Sequence, residues 1–156
     1  MKIIVLAGGL STERDVSLSS AAGICRTLLE KGHDAFLLDV FMGLEHAPEN
    51  LEDVFTLPDH GLDIVKNIST EEPDLNAVKA SRPDQSDCFF GPNVIELCRL
   101  ADITFLGLHG GEGENGKLQA AFDLLGIKYT GPDSLGCAVA MHKGVAKQIF
   151  LESGVD

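Results

Sequence analysis

Phe105–Gly116, FLGLHGGEGENG, is the stretch on which the reading of the whole chain turns. Five of its last ten residues are glycine: Gly107, Gly110, Gly111, Gly113 and Gly116. An apolar run from Ala101 to Leu108 comes before it and reads as a strand over 102–108. After it, Leu118, Ala121, Phe122 and Leu125 recur at i, i+3, i+4 and i+7, the spacing of one helical face, and predict a helix over 116–125. A glycine-rich loop therefore joins the carboxyl end of a strand to the amino end of a helix. Open α/β sheets hold their ligands at such loops, where glycine lets backbone N–H groups come close. The loop also carries His109, Glu112 and Glu114. Two carboxylates would repel a phosphate and suit an ammonium group; a tight turn with solvated acids is the plainer alternative.

The amino-terminal end repeats the arrangement. KIIVLA, residues 2–7, reads as a buried strand stopped by Gly8-Gly9. Beyond the loop GGLSTERD, the residues Leu18, Ala21, Ala22, Cys25, Leu28 and Leu29 form one helical face, and Gly32 ends it. Ala35–Val40 reads as a second strand. A strand, helix and strand in this order make a βαβ unit, which requires a parallel sheet. The expected fold class is thus α/β, a Rossmann-like parallel sheet with helices on both faces. Further on, Gly91-Pro92 predicts a helix start with Val94, Ile95, Cys98 and Leu100 on one face. Ile127–Thr130 reads as a short strand, a helix capped by Asp133 or Ser134 starts at Leu135, and a last helix runs over 143–153 with Ala146, Ile149 and Phe150 on one face.

Residues 41–87 differ in kind. They hold eleven Asp and Glu against Lys66, Lys79 and Arg82, so eight of the chain's twelve net negative charges lie there. Leu62–Ile68 reads as a short strand or helix; the rest is expected to be a surface insertion with weak regular structure, and His46 and His60 receive no chemistry.

The totals exclude several functions. A net charge of −12 on 156 residues disfavours nucleic acid and anionic membranes as partners. No apolar run is long enough for a signal peptide or a bilayer span. Cys25, Cys88, Cys98 and Cys137 have neither metal nor redox spacing, and three of them fall in apolar helical patterns, which suits a reducing, cytoplasmic setting. Gly8-Gly9-Leu10 breaks the dinucleotide fingerprint GxGxxG, and Gly113–Leu118 is too short for a P-loop and lacks its hydroxyl.

What is left is two loops, 8–15 and 109–116, that face one crevice if their strands flank the point where the strand order reverses. Together they bring Ser11, Glu13, Arg14, Asp15, Ser17, His109, Glu112 and Glu114. Acids for an ammonium, and Arg, His or helix-start N–H groups for a carboxylate, fit a zwitterion such as an amino acid better than a dinucleotide. Glu13 could instead pair with Arg14 or a helix amino terminus, His109 could merely stabilise its loop, and Lys143 could be no more than a helix charge.

GGLSTERDVSLSS (8–20) closely resembles the amino-terminal signature of D-alanine–D-alanine ligases, and LHGGEGENGKLQAAFDLLGIKYTG (108–131) is similar to that family's second signature. Met141-His142-Lys143 looks like the start of its nucleotide-binding region. The likeness covers roughly 2–40 and 101–154, in order; Asn115 and His142 stand where the family usually has acids.

The resemblance implies an ATP-grasp ligase of peptidoglycan precursor synthesis. ATP phosphorylates one D-alanine, and the amine of a second attacks the acyl phosphate. It implies that Glu13 is catalytic and anchors the first ammonium, that Val16 and Ser17 shape that pocket, that His109 lies near the substrate carboxylate, that Glu114 supports the loop, and that Lys143 reaches toward the ATP phosphates. ATP and Mg2+ would be bound mainly by a region beyond this chain, and a homodimer is the assembly it allows. The expected division is a substrate-binding domain over 1–140, with an acidic insertion at about 41–90, and a truncated start of the ATP-grasp region over 141–156. A chain so divided would not make the dipeptide alone. The rivals are a non-catalytic small-molecule binding module and an ATP-grasp ligase taking D-lactate or D-serine as second substrate.

Overall fold

The computed structural model describes residues 1–65 and 72–155. Its centre is β1, Lys2–Ala7, which has a parallel neighbour on each side: β2, Asp34–Asp39, and β3, Ile103–Leu106, in the order β2-β1-β3. This placement explains why the strand reads as an unbroken apolar run. A central parallel strand is covered on both faces, so neither set of alternate side chains meets water. Ile3, Val5 and Ala7 face α1, Arg14–Glu30, and pack with Leu18, Ala21, Ala22 and Cys25. Ile4 and Leu6 face the other way. They join a larger layer with Phe36, Leu38, Val94, Leu97, Cys98, Leu118 and Phe122. Helices therefore cover both faces, as expected of the fold class.

The remaining helices follow in chain order: α2, Leu75–Ser81; α3, Val94–Leu100; α4, Gly111–Glu114; α5, Lys117–Leu125; α6, Ser134–Met141; and α7, Lys143–Glu152. Several differ from the sequence expectation. The strand expected over 102–108 pairs only over Ile103–Leu106, because the chain turns away after Gly107 donates its N–H to the Leu6 carbonyl at 2.8 Å. The strand expected over 127–130 is reduced to a single parallel bridge between Thr104 and Tyr129. There the Thr130 hydroxyl, rather than a backbone carbonyl, accepts the Leu106 N–H, which stops the ladder. The helix expected from Gly91-Pro92 begins at Val94, after Asn93 adopts a left-handed conformation at φ 62°. Leu97 fills its buried face, and Leu100, expected there, is exposed. The glycine loop, expected to be irregular, contains the single turn of α4. The face of Ile149 and Phe150 on α7 is exposed rather than packed.

The acidic segment is more firmly built than its composition implies. A 3-10 turn over Leu51–Thr56, capped by Asn50, buries Val54 and Phe55 in the larger layer. Arg82 is almost wholly buried, donates to the Cys88 and Phe90 carbonyls and to Asp84, and lies 4.8 Å over the Phe41 ring. Of the expected element at 62–68, Leu62–Ile64 forms a 3-10 turn, and 66–68 lie outside the described residues. No helix among the described residues is long and apolar enough to cross a membrane.

Candidate functional site

Because β1 and β3 are adjacent and parallel, the loops that leave them emerge at the same edge of the sheet. The strand order reverses here: β2 lies on one side of β1 and β3 on the other, the place where such sheets open a crevice. Three serines of the first loop and helix hold the second loop. Ser11 donates to the His109 carbonyl at 2.7 Å. Ser17, fully buried, donates to the Gly107 carbonyl at 2.8 Å and accepts the Gly8 N–H at 2.9 Å, which fastens the ends of β1 and β3 together. Ser20 shares a hydrogen bond with His109 Nε2 at 3.1 Å.

The loops meet closely. A Cβ placed on Gly110, whose φ is +68°, would stand 3.0 Å from Glu13 Oε2 and 3.4 Å from Ser11 Cβ. The Glu13 carboxylate is thus beside the residue that follows His109. The gap under the two loops, between Ser11, Leu108, Gly110 and Glu112, is too tight for water, and Glu13 and Ser20 do not line it.

Both alternative uses of Glu13 are absent. It is the N-cap residue of α1 but makes no side-chain capping bond. Arg14 is turned inward, donating to the Gly9 carbonyl and pairing with Asp39. Asp39 also accepts the N–H groups of Phe41 at 2.9 Å and Met42 at 3.1 Å. This buried pair ties the first loop to the end of β2 and leaves Glu13 exposed.

The other residues singled out by sequence lie as follows. Ser17 is sealed inside the joint, so its hydroxyl positions the loops and is not open to a ligand. Val16 is 47% exposed on the first turn of α1. Glu114 is exposed at the end of α4, which packs on α6. Lys143 is exposed at the start of α7, where the His142 ring caps the helix by accepting the Val145 N–H at 3.2 Å. Near Glu114, burial and then the Asp133 and Glu114 carboxylates push the Cys137 thiol up. Among the described residues no group of three or more His, Cys, Asp or Glu could hold a metal ion.

Sequence reading had passed over Asp39 and Ser20. The signals were present: Asp39 is a lone acid closing an apolar strand, and Ser17 and Ser20 share a helical face at i, i+3.

A family model described as "D-ala D-ala ligase N-terminus" matches residues 2–132. The chain belongs to this family. D-alanine–D-alanine ligases of Lacticaseibacillus casei and Pediococcus pentosaceus are each 46% identical to it across 99% of its length, which is 43% and 44% of theirs. Among solved structures, the D-alanine–D-alanine ligase of Coxiella burnetii matches with a TM-score of 0.61 at 25% identity, covering 99% of this chain and 41% of that one. The Bacillus anthracis ligase complexed with ATP matches in fold, with a TM-score of 0.61 at 22% identity over 99% of this chain and 36% of its own. The chain thus spans less than half the length of the ligases it matches, and within it the family match takes in both loops.

Proposed function

We propose that this chain is the lobe of a D-alanine–D-alanine ligase that holds the first D-alanine. The observation that carries the reading is the Glu13 carboxylate beside Gly110, the residue after His109, within a chain 46% identical to ligases of that name. Glu13 offers an exposed carboxylate to the ammonium. His109, fixed at its ring and its carbonyl, would face the substrate carboxylate, and Val16 would border the same site from α1. Glu114 supports the glycine loop from α4.

Activating the carboxylate would need ATP, and the ATP bound to the Bacillus anthracis relative supports ATP as co-substrate. Lys143 is the cation this chain would extend toward its phosphates. The metal and most of the nucleotide would be held by an ATP-grasp region in the part of the ligase that this chain does not span. We place the enzyme in the cytoplasm, in peptidoglycan precursor synthesis and so in maintenance of cell shape.

Replacing the matched lobe of the Lacticaseibacillus casei ligase with this chain tests the reading. The chimera is expected to form D-alanyl-D-alanine from ATP and D-alanine, and the chain alone is expected to form none. A folded chimera that binds ATP but makes no dipeptide overturns it.

A further inference from the structure

We infer that Ser20 is a positioning residue for His109, fixing which ring nitrogen is left for a ligand. Ser17 and Ser20 lie three residues apart on α1 and so project from one face of that helix. Ser17 holds the Gly107 carbonyl, and Ser20 reaches the ring two residues further on. The loop that carries the ring is rich in glycine, and ordering such backbone costs conformational entropy unless specific bonds hold it. Here the bonds come in sequence from Ser17, Ser20 and Ser11, and His109 is held both at its ring and at its carbonyl.

The tautomer follows from counting protons. A serine hydroxyl has one proton to donate and two lone pairs to accept with. Ser20 donates its proton to the Ser17 carbonyl one turn earlier, at 3.1 Å. With its proton on the Ser17 carbonyl, Ser20 accepts from His109, and the inferred tautomer is the one with hydrogen on Nε2. The partner of one ring nitrogen sets the state of the other. Nε2 is committed to the helix, and Nδ1, which takes part in none of the hydrogen bonds among the described residues, is the atom left for a ligand: bare it accepts a hydrogen bond, and it meets a carboxylate only when it carries a proton of its own. Ser20 thereby selects the ring plane and the ligand-facing nitrogen without touching the ligand. That the ligand is an amino acid rests on the ligase reading above; the bonding of the ring does not.

The test is the side-chain ¹⁵N spectrum of the chain labelled at histidine, in alkaline buffer, with the His109 signals assigned by their loss in His109→Gln. The wild type is expected to show one protonated nitrogen, Nε2, and an unprotonated Nδ1. Ser20→Ala should give an averaged signal from both tautomers, with the population ratio shifted roughly five-fold, as for loss of one neutral hydrogen bond. Ser20→Thr, which keeps the hydroxyl, should restore the wild-type pattern. Unchanged thermal midpoints establish that the variants are folded. A wild-type spectrum dominated by Nδ1–H, or a Ser20→Ala spectrum identical to wild type, overturns the inference. This measurement needs no substrate. An Nε2–H tautomer in a protein whose chimera makes no dipeptide would leave the positioning intact and remove only the ligase reading.

Discussion

Arg14 and Asp39 are 8% and 3% exposed, and together they decide where Glu13 can be. The pair is stable because Asp39 has backbone N–H partners besides the guanidinium. A buried charge keeps such a position only when its remaining hydrogen-bonding capacity is filled. Removing one partner strands the other, so Asp39→Asn is expected to cost about 3–5 kcal/mol in urea unfolding, far more than loss of an exposed ion pair such as Lys2–Glu52. The buried thiols give a second expectation. Burial pushes Cys25 up to about 11 and Cys98 up to about 12, from an ordinary value of 9.0. Above pH 9.0 the unfolded thiols release protons that the folded ones keep. The unfolded state then binds fewer protons, and the free energy of unfolding falls as pH rises from 9.0 toward 12. Urea midpoints at about pH 8 and pH 10.5 should differ less in a Cys25→Ala, Cys98→Ala variant than in wild type. Equal differences would contradict the assignment.

At the scale of elements, what sequence could foresee depended on periodicity. β1, β2 and α1 were legible because each buries a regular set of side chains against the others. The end of β3 and the strand at 127–130 were not, because Thr130 ends the ladder with a side chain, a substitution that no spacing of apolar residues records. Val54 and Phe55 were hidden for a related reason: two core residues among acids make no period. Glycine was informative where backbones touch. Gly116 opens α5 at φ +89°, and a Cβ there would be 2.3 Å from the Ser134 carbonyl oxygen. Gly23, within α1, has nothing within 4 Å and no positive φ. Gly116→Ala is expected to destabilise by more than about 1 kcal/mol, and Gly23→Ala to stabilise by about 0.4–1 kcal/mol. Thermal melts of the two variants should therefore move in opposite directions, and movement in the same direction would contradict this account of the two sites.

For the whole molecule, the decisive fact is that the sheet makes neighbours of two strands far apart in sequence. The shared crevice was foreseeable from the βαβ opening and the glycine loop, since both loops follow strands of one parallel sheet. The fastening of the crevice was not, because Ser17 and Ser20 act through contacts that exist only once β1 and β3 are paired, and Asp39 through contacts that need β2 beside β1. The central claim is that Glu13 and His109 serve one substrate from opposite loops. It is tested most directly by steady-state kinetics of Glu13→Gln and His109→Ala in the chimera that carries this lobe on the Lacticaseibacillus casei ligase. Loss of a charged hydrogen bond costs about 1.5–3 kcal/mol, so each variant should lower kcat/KM for D-alanine by roughly ten-fold or more, with the KM for ATP unchanged. A chimera whose kcat/KM for D-alanine is indifferent to either substitution would contradict the claim.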